Sequence, residues 1–320
     1  MLGRAWQSTM IALASSERLT KFVQSSRLGA ALARRYTAGG EPASALVLAE
    51  SLARDRAIRG SLYALGEYVS SSAKIGDAVA AQLAIVERLA GSSLDVHLTV
   101  DPAQIGQVFD AALARRNAFA VAEAVAAAAA APARLKATAL GMEDASSVDA
   151  TIALYDELSA AGLPVALTLQ AYLRRTEADL ARQIERGGRV RLVKGAFLGP
   201  AATSFVRREE LQANWRRLID LMLSRRAHEC GFRPSIATHD DALQLYAIER
   251  AAANGWASDQ WEIEMLLGVR DRLAAALAAA GRRVRLFLPS GRDWWPYAIR
   301  RIGESPGNAR LLARSLVSWR

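Results

Sequence analysis

The chain has a single cysteine, Cys230, in 320 residues. No internal disulfide can form, which suits a reducing compartment. We therefore expect a cytoplasmic protein with at most peripheral membrane contact. Lysine is nearly as scarce, with only Lys21, Lys74, Lys136 and Lys194 among 41 basic residues. The net charge of +9 thus rests on arginine, and acidic residues are interleaved throughout. No long Lys/Arg block marks a nucleic-acid surface, and no nucleic-acid partner is expected. Apolar runs fall short of the ~20 residues that span a bilayer. The N-terminal stretch is basic around a short apolar patch, but Glu17 follows and no small-residue cleavage pattern appears, so it reads as an amphipathic helix. His228, Cys230 and His239 have no further ligand at zinc spacing, and no metal is expected.

What the chain does have is a repeated alternation. With 52% hydrophobic and 23% charged residues it can bury a large core. Short strand-like runs, "SLYAL", "LDVHLTV", "LKATAL", "VALTLQAY", "VRLVKGA", "RPSIATH", "WEIEML" and "RVRLFLP", are each followed by a helix-period segment. Eight strand–helix units imply a parallel sheet closed into a (β/α)8 TIM-type barrel, preceded by an N-terminal helical segment over about residues 1–58. The competing doubly wound open sheet lacks its G-x-G-x-x-G after the first strand. We expect one domain over 1–320, with the chemistry at the strand tips, where His97, Gly141, Gln170, Glu264 and Phe287 stand.

One segment is unusual. "RVRLVKGAF" (189–197) alternates apolar and basic residues and then stops in Gly195 and Ala196. A bare tip of this kind lets a flat ligand approach the backbone, since Cβ atoms would hold it off. Read alone, the segment equally suits an exposed edge strand with solvated bases.

Taken together, "LGE" (65–67), "LQAYL" (169–173), "RLVKGAF" (191–197), "ATHD" (237–240), "WEIEMLLGVR" (261–270) and "RVRLFLPSGRDWWPYAIRRIGESPGN" (283–308) resemble the proline dehydrogenases, FAD-binding enzymes on a distorted (β/α)8 barrel. The resemblance implies a flavin lying along the fifth strand. Gln170, Arg191, Val193, Gly195, Ala196, Thr238, His239 and Glu264 would be its contacts, with Glu264 standing where that family usually shows Gln. Arg191 would reach the reactive N5 edge. On the eighth helix Arg300 and Arg301, with Glu304 one turn on, match a clamp for a substrate carboxylate, to which guanidinium groups offer paired donors. Leu266, Phe197 and Phe287 would wall the substrate.

Four positions depart from the family pattern around the substrate. His97 replaces Lys, Gly141 replaces Asp, and Phe197 and Phe287 each replace Tyr. His97 is a candidate proton acceptor, because imidazole titrates near working pH. The resemblance therefore implies an FAD-dependent dehydrogenase or oxidase acting on the CH–NH bond of a free-carboxylate amino acid, proline or, slightly favoured, a modified relative. The electron acceptor would be a quinone or O2. The alternative is a barrel of the same descent that binds flavin without turnover.

Overall fold

The computed structural model describes residues 33–66, 71–129, 135–195, 199–291, 294, 295 and 297. Its frame is a closed barrel of eight parallel strands in sequential order. The strands are β1 (Arg59–Ala64), β2 (Val96–Val100), β3 (Lys136–Leu140), β4 (Val165–Gln170), β5 (Arg189–Val193), β6 (Arg233–Ala237), β7 (Glu262–Leu266) and β8 (Val284–Ser290). Each run that the sequence marks as a strand is one.

A short helical turn at 33–36 and helix α1 (Ser44–Arg56) precede β1. Between strands lie α2 (Ser72–Leu89), α3 (Ala111–Ala127), α4 (Val148–Ala160), α5 (Thr176–Glu185), α6 (Arg208–Met222), α7 (Arg225–Glu229), α8 (Asp241–Ala253) and α9 (Asp271–Ala279). Several helices begin where a side chain accepts from the first-turn amides that have no intrahelical partner. Ser71 caps α2, Asp110 caps α3, and Asp240 caps α8 through the Ala242 and Leu243 amides. Helix α1 packs close to β1 because Gly60 has no side chain, since a Cβ there would sit 3.0 Å from that of Ala49. Among the described residues no helix is long and apolar enough to cross a membrane.

The strand register sorts every side chain to one of two faces. Leu62, Leu98, Leu140, Leu167, Leu192, Ile236, Ile263 and Leu288 point outward and pack with the helices as one buried hydrophobic cluster. The lumen carries the alternate residues, which register aligns from strand to strand: Ser61 with His97, His97 with Ala137, Thr168 with Arg191, Arg191 with Ser235, and Glu264 with Arg285. The apolar core is thus the annulus between sheet and helices, while the lumen is polar and charged. Small residues at Ala137, Ala139 and Ala166 leave it room for long arginine side chains.

A polar lumen is stable only if its groups are paired, because an unpaired buried polar group costs on the order of 1–3 kcal/mol. Ser61 and Thr99 share a hydrogen bond of 3.0 Å. At the N-terminal end Arg285, fully buried, donates to Glu262 (2.8 Å) and Asp95 (2.8 Å). Arg283 and Arg59 complete this base cluster on the same two carboxylates.

Candidate active site

The strands' C-terminal ends form the opposite mouth, where chemistry sits in barrels of this kind. Gln170 is the last residue of β4. Its amide donates to the carbonyls of Met142 (3.2 Å) and Glu143 (2.8 Å), while its buried Oε1 has no partner. Arg191, third in β5, is buried and held on three sides. Its Nε donates to Thr168 Oγ1 (3.1 Å), its Nη1 meets Glu264 Oε1 (3.2 Å), and its guanidinium carbon lies 5.6 Å from the centre of the Phe287 ring. Glu264 takes a further bond from the Ser235 hydroxyl (3.3 Å). An Arg-paired Glu264 puts no net negative charge at this place.

Phe287 forms part of an aromatic wall, 5.2 Å from Tyr63 and stacked at 6.4 Å on Tyr297. Leu266, beside it on β7, is half-buried, and its amide donates to His239 Nε2 (2.9 Å). That bond makes Nε2 the acceptor and orients the ring at the β6–α8 junction. Thr238 precedes it, its hydroxyl taking the Asp240 amide (3.2 Å) and its carbonyl the Gln244 side chain (2.7 Å). Gln170, Val193, Leu266, Thr238 and His239 stand at the C-terminal ends of β4–β7 or just beyond them, with Arg191, Glu264 and Phe287 at mid-strand. Ala196, Phe197, Arg300, Arg301 and Glu304 lie outside the described residues.

One sequence expectation changes. His97 is not at a strand tip. It is the second residue of β2, deep in the lumen, and its Nε2 has no partner. Burial, reinforced by the positive charges of Arg285 and Arg189, holds its pKa well below the usual imidazole value. Burial there disfavours the protonated form that a proton-accepting role would require. Gly195 has a reason within the chain itself to lack a side chain. Its φ is +93°, and a Cβ would run into the Tyr172 ring, so the glycine accommodates the chain's own aromatic side chain.

Sequence reasoning missed the carboxylates at this mouth. β2 runs to Val100, which makes Asp101 the first residue beyond the strand. Tyr63 Oη donates to Asp101 Oδ2 at 2.6 Å, and a Cβ built on Gly141 would land on Asp101 Oδ1. Asp101 thus occupies the space that a side chain at 141 would fill. Glu143, two residues further along, accepts from the Ala103 amide (3.1 Å). Burial, and secondarily the charge of Asp101, raises its pKa to about 7. The run "LDVHLTV" ends at Val100 as the strand does, but the sequence reading places the tip at His97 rather than at the residue following the run.

The sequence pattern of the proline dehydrogenase family matches residues 47–314. The chain belongs to the proline dehydrogenase family. A proline dehydrogenase of Deinococcus radiodurans is 31% identical over 290 residues, covering 89% of this chain and 90% of that one. Proline dehydrogenase 1 of Bacillus subtilis strain 168 is 28% identical over 307 residues, covering 95% of this chain and 97% of its own length. Among solved structures, proline utilization A of Bdellovibrio bacteriovorus, inactivated by N-propargylglycine, superposes with a TM-score of 0.76 at 19% identity, over 90% of this chain. The Corynebacterium freiburgense protein of that name gives 0.67 at 23% over 98%. This chain spans about a third of either. Proline dehydrogenase membership makes it an oxidoreductase of amino acid metabolism, on the TIM-type barrel that those structures share.

Proposed function

We propose that the protein is an FAD-dependent dehydrogenase that oxidises the CH–NH bond of proline or, in slight preference, of a substituted, acyclic or N-heteroatom relative. The observation that carries the reading is the arrangement around Arg191, a buried guanidinium at the barrel mouth between an unpartnered Gln170 Oε1 and the Phe287 wall. The described residues fit a flavin. Gln170 Oε1 is a buried acceptor awaiting a donor, such as the imide N–H of an isoalloxazine ring. When bound, the flavin supplies a hydride acceptor at N5, and electrons then leave to a quinone or O2.

The chain's own residues supply the rest. Arg300 and Arg301, assigned from sequence, hold the substrate carboxylate. Asp101 and Glu143 put negative charge at the same mouth and complement a positively charged substrate nitrogen. Glu143, titrating near neutrality, can take up a proton released there. Arg191 stabilises negative charge on the reduced cofactor, moderated by its pairing with Glu264. Leu266, Phe287 and Phe197 exclude water from the reacting carbon. Two missing phenol hydroxyls, a histidine for Lys and a relocated carboxylate support the preference for a modified substrate.

The test is spectroscopic. The purified protein is examined in the visible range and then mixed without oxygen with proline and with a panel of substituted and acyclic amino acids. Faster bleaching by one of the relatives supports the preference, whereas fastest bleaching by proline restores proline as substrate. A colourless preparation that takes up no FAD defeats the proposal.

A further inference from the structure

We infer that the N-terminal face of the barrel, opposite the catalytic mouth, carries a second site that binds a small metabolite through an oxyanion, either a phosphate or a carboxylate group. A cleft of about 400 Å³ opens there among the first residues of β5, β6, β7 and β8. That volume is in the range that holds a small organic ligand.

The polar groups of the cleft are unevenly satisfied. Arg59, Arg283 and Arg285 are each ion-paired to Asp95 or Glu262. Arg189 and Arg233 also line the cleft, yet neither forms an ion pair with any described residue. Arg189 points into the lumen from the first position of β5 and is partly buried, and Arg233 stands exposed at the start of β6. Trp261 lines the same cleft, and its Nε1–H is buried without an acceptor. All three of these groups are donors. The lining carries three guanidinium groups (Arg189, Arg233, Arg283) and three carboxylates (Asp95, Asp259, Glu262). Arg59 and Arg285, which do not line the cleft but pair with the same carboxylates, leave the cluster two positive charges in excess.

Several unfilled donors beside an excess of positive charge call for a ligand rich in acceptors and negatively charged. Guanidinium pairs match the planar or tetrahedral oxygens of carboxylate and phosphate, and an indole N–H adds a directed donor. Asp95 and Glu262 do not oppose such a ligand strongly, because Arg283 and Arg285 already neutralise them. Asp259 sits exposed among the lining residues and sets the limit of the positive field.

The experiment is calorimetric titration of the flavin-loaded protein with sodium phosphate and, separately, with sodium succinate at constant ionic strength. Saturable binding of at least one probe is expected, and which of them binds identifies the oxyanion. Arg233→Ser and Arg189→Met should each weaken that binding by ten-fold or more, while Arg233→Ser leaves amino acid oxidation unchanged. If Arg189→Met does not fold, Arg233→Ser alone decides. No saturable heat from either probe up to about 10 mM, a weak limit for a specific site, overturns the inference. So does binding that survives the substitutions, since the anion would then lie elsewhere. Because the readout is binding, its failure leaves the oxidation chemistry at the other mouth untouched.

Discussion

Arg191 and Glu264 reach each other from strands β5 and β7, with Nη1 3.2 Å from Oε1, and Ser235 on the strand between them donates to the second carboxylate oxygen. Both are buried, so their charges are compensated mainly by each other. In the proposed function, the pair sets how much positive charge Arg191 would direct at the flavin. Replacing the carboxylate by its amide keeps an acceptor for the guanidinium and removes the negative charge that opposes reduction. Glu264→Gln should therefore raise the midpoint potential of the bound flavin, by about 30 mV or more for a change of ~1.4 kcal/mol in a two-electron couple. An unchanged potential in spectroelectrochemical titration would show that the pair does not tune the cofactor.

Asp101 and Gly141 compete for one volume, since a Cβ at 141 would land on Asp101 Oδ1. Gly141→Ala should lower stability and substrate turnover together. Asp101→Gly, combined with it, should recover part of the stability loss. A coupling of about 0.5–3 kcal/mol between the two changes is expected from denaturation of the single and double variants. Strict additivity would mean that the two positions do not share the space.

Glu143 gives the protein a dependence on pH. Its folded pKa is about 7, raised from 4.5 by burial and by Asp101. Between these values the folded state holds a proton that the unfolded chain releases, so stability falls as pH rises from about 4.5 to 7. The loss is on the order of 1–3 kcal/mol after allowance for partial exposure. Urea midpoints at pH 5 and pH 8 should drop in the native protein. With Glu143→Gln the drop should be smaller, and equal drops in both would remove Glu143 as its source.

Arg285 is fully buried and neutralises both Asp95 and Glu262. Burial opposes ionisation of Glu262, but Arg285, with Arg283, draws its pKa down to about 2. This pairing stabilises the fold above the unfolded carboxylate pKa and is lost as pH falls toward 2. Arg285→Met would leave Asp95 and Glu262 only their less buried partners Arg59 and Arg283, and should cost up to about 3–5 kcal/mol. Denaturant midpoints at neutral pH measure it, and a loss below 1 kcal/mol would show that water already reaches the cluster.

The barrel was legible because its signal is periodic and local. Eight short runs bounded by helix-period segments, with Gly162 closing α4 at φ +75°, follow from chain stereochemistry that each stretch carries by itself. The position of Gln170 at the end of β4 was legible because it lies in a contiguous motif at a strand end. His97 and Asp101 were not. The run "LDVHLTV" does not by itself show which of its residues faces the mouth, and pairing with β1 and β3 sets that depth.

The alternation of strand and helix came from the amino acid order alone, since it depends on neighbours within a turn or a strand. The pairing of Arg191 with Glu264 spans 73 residues, and that of Arg285 with Asp95 spans 190. Barrel closure alone brings those charges within reach and buries them together. Whether an arginine there is a solvated surface charge or a buried partner was therefore a decision of the tertiary structure, because the strength of a charge pair depends on the water that closure removes.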